Sequence, residues 1–116
     1  MMKRLLLLFS FLLAASQLAN ARQPLAGGWS PIKNVTDEHV SDIGAYAVSE
    51  HDKASKDNLE FVRVVKGEEQ VVAGTNYRLV IEAKDAKGQV AKYVAVVWEK
   101  VWENFKQLTS FKPISS

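Results

Sequence analysis

Cysteine is absent from this 116-residue chain, which removes disulfides, thiolate nucleophiles and thiolate metal sites together. A domain of this size must then be held by packing alone. Histidine occurs only at positions 39 and 51, and proline only three times, so little interrupts regular structure. Neither sign of charge dominates, with 15 basic against 13 acidic residues; nucleic acid and anionic membrane surfaces call for a clustered excess of Lys and Arg. What the chain does have is 47% hydrophobic and 24% charged residues, the composition of one small globular domain.

The apolar run from Leu5 to Ala15 is well under the roughly 20 residues of a spanning helix. Lys3 and Arg4 precede it, and Ala19-Asn20-Ala21 follows as an A-x-A signature, so residues 1–21 are expected to be a secretory signal peptide. Its removal takes two basic residues away and leaves 95 residues with 13 charges of each sign. Residues 22–28, RQPLAGG, lack apolar periodicity and read as a flexible arm. The folded domain is expected over 29–116. Asn34-Val35-Thr36 is an acceptor sequon, making Asn34 a candidate glycosylation site in a secreted chain.

Trp29 to Ile32 reads as a short edge strand, where Pro31 is tolerated. A helix is predicted over Asp37 to Lys53. Thr36 is the expected N-cap, Val35 can staple onto Val40, and Val40, Ile43, Tyr46, Ala47 and Glu50 recur at helical spacing. Leu59–Lys66, Thr75–Lys84 and Val90–Trp98 are rich in β-branched and aromatic residues and read as strands. Asn104–Phe111 is expected to be a final strand. One helix followed by an antiparallel meander implies an α+β fold, with the helix across one sheet face and the other face left to water.

Catalytic constellations are missing. On one helix, twelve residues separate His39 from His51, which turns them about 120° apart, so they cannot share a metal and read as solvated surface residues. No nucleophile elbow, phosphate loop or calcium loop occurs. Glu68 and Glu69, adjacent on a strand, would point to opposite faces and read as solvated turn charges. The expectation is a protein that is not an enzyme and needs no cofactor and no metal.

Three features are not accounted for by burial: the Gly27-Gly28 arm, the apolar turn Gln70-Val71-Val72-Ala73-Gly74, and Val101-Trp102 before the last segment. Alternate turns of a meander fall at the same end of a sheet, so the second and third share one end, with Asp85–Gly88 at the other. With these residues the chain resembles the cystatins, inhibitors of papain-like cysteine proteases, and the plant group (phytocystatins) most. Gln70 to Gly74 matches the central Q-x-V-x-G motif, Gly27-Gly28 the N-terminal glycine and Trp102 the second-hairpin tryptophan. Ile43 to Val48 is similar to the plant helix signature. Val101 replaces the usual proline of that second hairpin, Ala45 replaces a charged helix residue, and Asp52 stands where Asn is usual.

The resemblance implies a cystatin-like fold, one long helix packed across a four- to five-stranded antiparallel sheet. It implies a reversible, tight-binding inhibitor used in plant defence. The partner would be a papain-like cysteine protease, whose cleft is blocked by a wedge of Gly27, Gly28, Gln70, Val71, Val72, Ala73, Gly74, Val101 and Trp102. Leu25 and Ala26 would face the non-primed subsites. A monomer is expected, secreted or carried to the vacuole, with a domain-swapped dimer open to it through the Gln70–Gly74 hairpin. The competing expectation is a secreted binding module that keeps the fold without inhibition.

Overall fold

The computed structural model describes residues 28–114; the expected signal peptide and all of the arm before Gly28 lie outside the described residues. The elements are β1 (Trp29–Pro31), α1 (Glu38–Ala54), β2 (Glu60–Val72), β3 (Gly74–Lys84), β4 (Val90–Lys100), a single 3-10 turn (Val101–Glu103) and β5 (Phe105–Pro113). The five strands form one antiparallel sheet in the order β1-β2-β3-β4-β5. This is the expected α+β arrangement, with α1 laid across one face.

α1 begins one residue later than the sequence suggested, and its cap is Asp37, not Thr36. Asp37 Oδ2 accepts the His39 N–H at 3.1 Å. Thr36 instead turns back to Asn34, whose Oδ1 accepts from both the Thr36 N–H and its hydroxyl. Where two short polar side chains are adjacent, the one whose own carbonyl starts the helical ladder takes the cap: Asp37 O accepts from Ser41 N at 3.0 Å.

The helix buries Val40, Ile43, Ala47 and Val48, the i, i+3, i+7, i+8 stripe of an amphipathic helix. Facing them are Val64 on β2, Tyr77, Leu79, Ile81 and Ala83 on β3, and Ala95 and Val97 on β4. Ile43, Leu79, Ile81 and Val97 are fully buried, and each contributes roughly 1.5–3 kcal/mol relative to exposure. Gly44 lets the helix approach closely: a Cβ there would lie 2.8 Å from side-chain atoms of Phe61 and Val64. At the far end Asp52 Oδ1 accepts the Leu59 N–H at 2.9 Å, so the carboxylate found in place of the usual amide anchors the connection into β2.

β2 runs on to Val72, well past the expected Lys66. Register shifts at Val62 and Val65 insert an extra residue each, and β5 carries another at Thr109; such bulges bend a strand and increase its twist. Glu68 and Glu69 therefore sit on a strand rather than in a turn, and Glu68 binds Arg78 across the β2–β3 pair.

Candidate functional site

The β2–β3 and β4–β5 connections lie at one end of the sheet, and β1 starts beside them, with Trp29 opposite Gln70. The Asp85–Gln89 connection is at the other end. Gln70 to Gly74 is not a five-residue turn. Gln70 pairs with Asn76, Val71 with Thr75 and Val72 with Gly74, which leaves Ala73 alone at the tip. Because neighbours on a strand alternate faces, Val71 and Val72 point to opposite sides of the hairpin tip.

Glycine at position 74 is required twice over. Its φ of 96° is in the left-handed region, and a Cβ there would collide with the carbonyl oxygen of Glu99 on β4. The absence of that Cβ lets the two hairpins lie against each other. Trp98 completes the joint by donating Nε1–H to the Ala73 carbonyl at 2.8 Å, while its ring meets Phe105 edge to face at 5.4 Å. Lys100 Nζ lies 4.7 Å and 4.8 Å from the centroids of these two rings and pairs with Glu103 at 3.3 Å. Asn104, with φ 52°, closes the second turn through its N–H to Val101 O at 3.0 Å; Asn is the non-glycine residue most at ease there.

The apolar tips are uncovered. Val71 is 63% exposed, Val72 40%, Val101 71% and Trp102 66%. The other large exposed apolar residues, Val62, Val90 and Ile114, lie away from this end, so the exposure is concentrated where a partner could cover it. Trp102 does not cap the core. Gln70, in contrast, is half-buried: its Oε1 accepts from Asn76 Nδ2 at 2.8 Å, which stiffens the hairpin. Gly28 is exposed at the start of β1, and Gly27 lies outside the described residues. Trp29 packs under Arg78, whose guanidinium carbon is 4.1 Å from the ring centroid.

His39 lies on the surface as expected, with its side chain 48% exposed, whereas His51 is partly buried, and each is paired with a carboxylate. His39 Nε2 is 2.8 Å from Glu99 Oε1, and Glu99 is the one buried charged residue among those described. His51 Nε2 is 2.7 Å from Asp57 Oδ2, and the His51 ring stacks on Phe111 at 4.1 Å. Beneath the edge, burial raises the Tyr77 phenol to about 12, and the carboxylates of Glu99, Glu69 and Asp37 push it the same way. Among the described residues no group of three or more His, Cys, Asp or Glu is placed to hold a metal ion.

The chain is 50% identical to cysteine proteinase inhibitor 8 of Oryza sativa subsp. japonica, with 99% of each chain covered. It is 49% identical to cysteine proteinase inhibitor 5 of Arabidopsis thaliana, over 96% of this chain and 91% of that one. This chain belongs to the cystatin family. Among solved structures, this cystatin superposes on a salivary cystatin of the soft tick Ornithodoros moubata with a TM-score of 0.67 at 27% identity, covering 77% of this chain and 98% of that one. Residues 32–114 also match a family model described as an aspartic acid proteinase inhibitor. The relatives are protease inhibitors, and this cystatin is not an enzyme.

Four residues of the edge were not found by sequence reading: Trp98, Glu99, Lys100 and Asn104. Trp98 and Lys100 look like ordinary alternating strand residues until the register is known. Asn104 carried a usable signal, an Asn directly after a turn and before a β-rich segment.

Proposed function

We propose that this cystatin inhibits papain-like cysteine proteases reversibly, by seating the edge formed by Ala73 and its flanking valines, Val101-Trp102 and the arm before Trp29 in the active-site cleft. One observation carries the reading: Val71, Val72, Val101 and Trp102 are exposed at one end of the sheet and are joined there by the Trp98–Ala73 hydrogen bond. The hairpin tip is narrow because only Ala73 separates its strands, so its backbone can enter a cleft without side-chain clashes. The valines and Trp102 then supply apolar area, at about 25 cal/mol per Å² buried, and Trp102 is the residue type that anchors interfaces.

Three contacts carried by one chain make the second and third intramolecular. A nanomolar complex needs about −12.3 kcal/mol, within reach of an edge ordered before binding. Gly27-Gly28 would turn the arm away from the protease nucleophile, so no covalent step is involved. The sequence of the first 21 residues supports export, to the extracellular space or the vacuole, and the inhibitor would act as a monomer.

The test is titration of papain and, separately, pepsin with the chain beginning at Arg22. Stoichiometric loss of papain activity, recovered on dilution, is the expected result. Unchanged papain activity overturns the reading. Loss of pepsin activity alone would move the target to the aspartic proteases named by the matching family model.

A further inference from the structure

Resting on that reading, we infer that the His39–Glu99 pair is a positioning device that fixes the two inhibitory turns relative to each other from behind. Glu99 is 7% exposed, and burying a carboxylate is costly unless it has a partner. The protease-facing atoms make no use of that carboxylate, so its cost needs another explanation.

Its place in the sheet supplies one. Residues 98, 99 and 100 are consecutive on β4 and each holds a turn. Trp98 donates to Ala73 O in the first turn. The Glu99 carbonyl is the surface on which Gly74 rests. Lys100 reaches Glu103 in the second turn. All three depend on the end of β4, which pairing to β3 and β5 holds within the sheet and which gives way to the 3-10 turn beyond Lys100, so what remains to be fixed is its position across the sheet. The tie comes from the opposite face: the Glu99 side chain points to the helix side and meets His39 Nε2 at 2.8 Å. His39 is in the first turn of α1, held by the Asp37 cap on its own N–H, and its ring rests edge-on against Tyr77, 6.1 Å between centroids. The helix start, β3 and β4 are thus joined directly behind the edge.

The test compares His39→Ala, Glu99→Ala and Glu99→Gln, each checked for native thermal melting and assayed against papain at a temperature well below its melting point. Gln at 99 keeps an acceptor for the imidazole N–H, so its inhibition constant stays within about twofold of the parent, whereas both Ala variants weaken inhibition about fivefold or more, the range of coupling between groups in one network. A double-mutant cycle of His39→Ala with Trp102→Ala separates positioning from bulk stability: positioning predicts non-additive losses, and a purely structural role predicts additive ones. Hydrogen exchange provides a readout without protease, with faster exchange at residues 72–75 and 101–104 in His39→Ala and unchanged exchange at Leu79 and Ile81.

Folded Ala variants that inhibit like the parent, or additive cycles, overturn the inference. If the parent itself fails to inhibit papain, the proposed function falls while the exchange experiment still decides whether the pair orders the turns; uniform exchange across the sheet would overturn it.

Discussion

Replacing Gly74 by alanine is the sharpest perturbation of the edge, because one methyl group meets two obstacles. The backbone at 74 has φ 96°, outside the regions an L-residue prefers, and holding a side chain in such a conformation costs about 1–3 kcal/mol. The new Cβ would also press into the Glu99 carbonyl and lie 2.8 Å from Lys100 Cγ. β4 cannot retreat without losing its pairing to β5, so the first turn must move away, opening the Trp98–Ala73 hydrogen bond, itself worth about 0.5–1.5 kcal/mol. The combined cost is about 2–4 kcal/mol. If half of it falls on the binding geometry, the inhibition constant rises about 5- to 30-fold, at tenfold per 1.4 kcal/mol.

Gly88 supplies the control. Its φ is 84°, yet a Cβ there meets nothing within 4 Å, and it lies in the connection at the opposite end. Gly88→Ala should lower the melting temperature through strain and leave papain inhibition unchanged. The assay is papain titration at 15 °C paired with thermal melts of both variants. A Gly74→Ala protein that melts and inhibits like the parent would refute the packing argument, and equal loss of inhibition in both variants would show that instability, not edge geometry, was being measured.

Other consequences can be measured in the same way. Trp102→Ala should weaken papain binding by about 2 kcal/mol or more, the scale of an interface anchor, with no change in melting temperature, because the ring is 66% exposed; a shifted melt with unchanged inhibition would contradict the assignment. Val101 opens the 3-10 turn, where proline is favoured, so Val101→Pro should stabilise the chain by about 0.4–1 kcal/mol and tighten inhibition; a loss of either refutes it. Asp37→Ala should cost about 1 kcal/mol of stability by chemical denaturation and Thr36→Ala clearly less, since only Asp37 caps α1. The Tyr77 phenol is raised from 10.0 to about 12 in the fold, so above pH 10 the unfolded chain loses that proton first and stability falls as pH rises from 10 to 12. The Tyr77 contribution is at most about 2–3 kcal/mol, and Tyr77→Phe should show a correspondingly smaller loss, the rest coming from groups such as Tyr46 and Tyr93 that are raised in the same direction, as read from denaturant midpoints across that range.

Much of the fold is legible because local and global preferences agree. The α1 stripe from Val40 to Val48 has one reading, and the β-branched runs in β3 and β4 match strands that alternate between a buried and a half-exposed face. The connection containing Gly88 declares itself by composition. What is not legible depends on long-range register. The apolar sequence Gln70 to Gly74 reads as a turn because it lies between two predicted strands and ends in glycine, yet its residues are paired strand ends, and only the opposing Thr75 and Asn76 show this. The same holds for His39: Asp37, Glu38 and Asp42 are its neighbours in sequence, yet the carboxylate it meets is sixty positions away on β4. The cap moved from Thr36 to Asp37 because both residue types can serve, and the choice rests on which carbonyl begins the helical ladder.

The exposed valines and tryptophan would be a liability on a floppy segment, since uncovered apolar residues on mobile chain invite association. Here they are carried by backbone that is already ordered: cross-strand pairing runs to the Val72–Gly74 step, an indole holds the Ala73 carbonyl, and Asn104 locks the second turn. Ordering an interface on binding costs about 0.5–1.5 kcal/mol for each immobilised side chain, besides the backbone, and most of that has been met during folding. Among the described residues the register of β1 with β2 begins at Trp29 and Gln70, and the composition of the arm before it, RQPLAGG, is that of a flexible segment. The two turns should therefore set the basal affinity and its rate of dissociation, while removal of residues 22–27 should change affinity by an amount that varies from one protease to another, according to how well each subsite accepts Leu25 and Ala26.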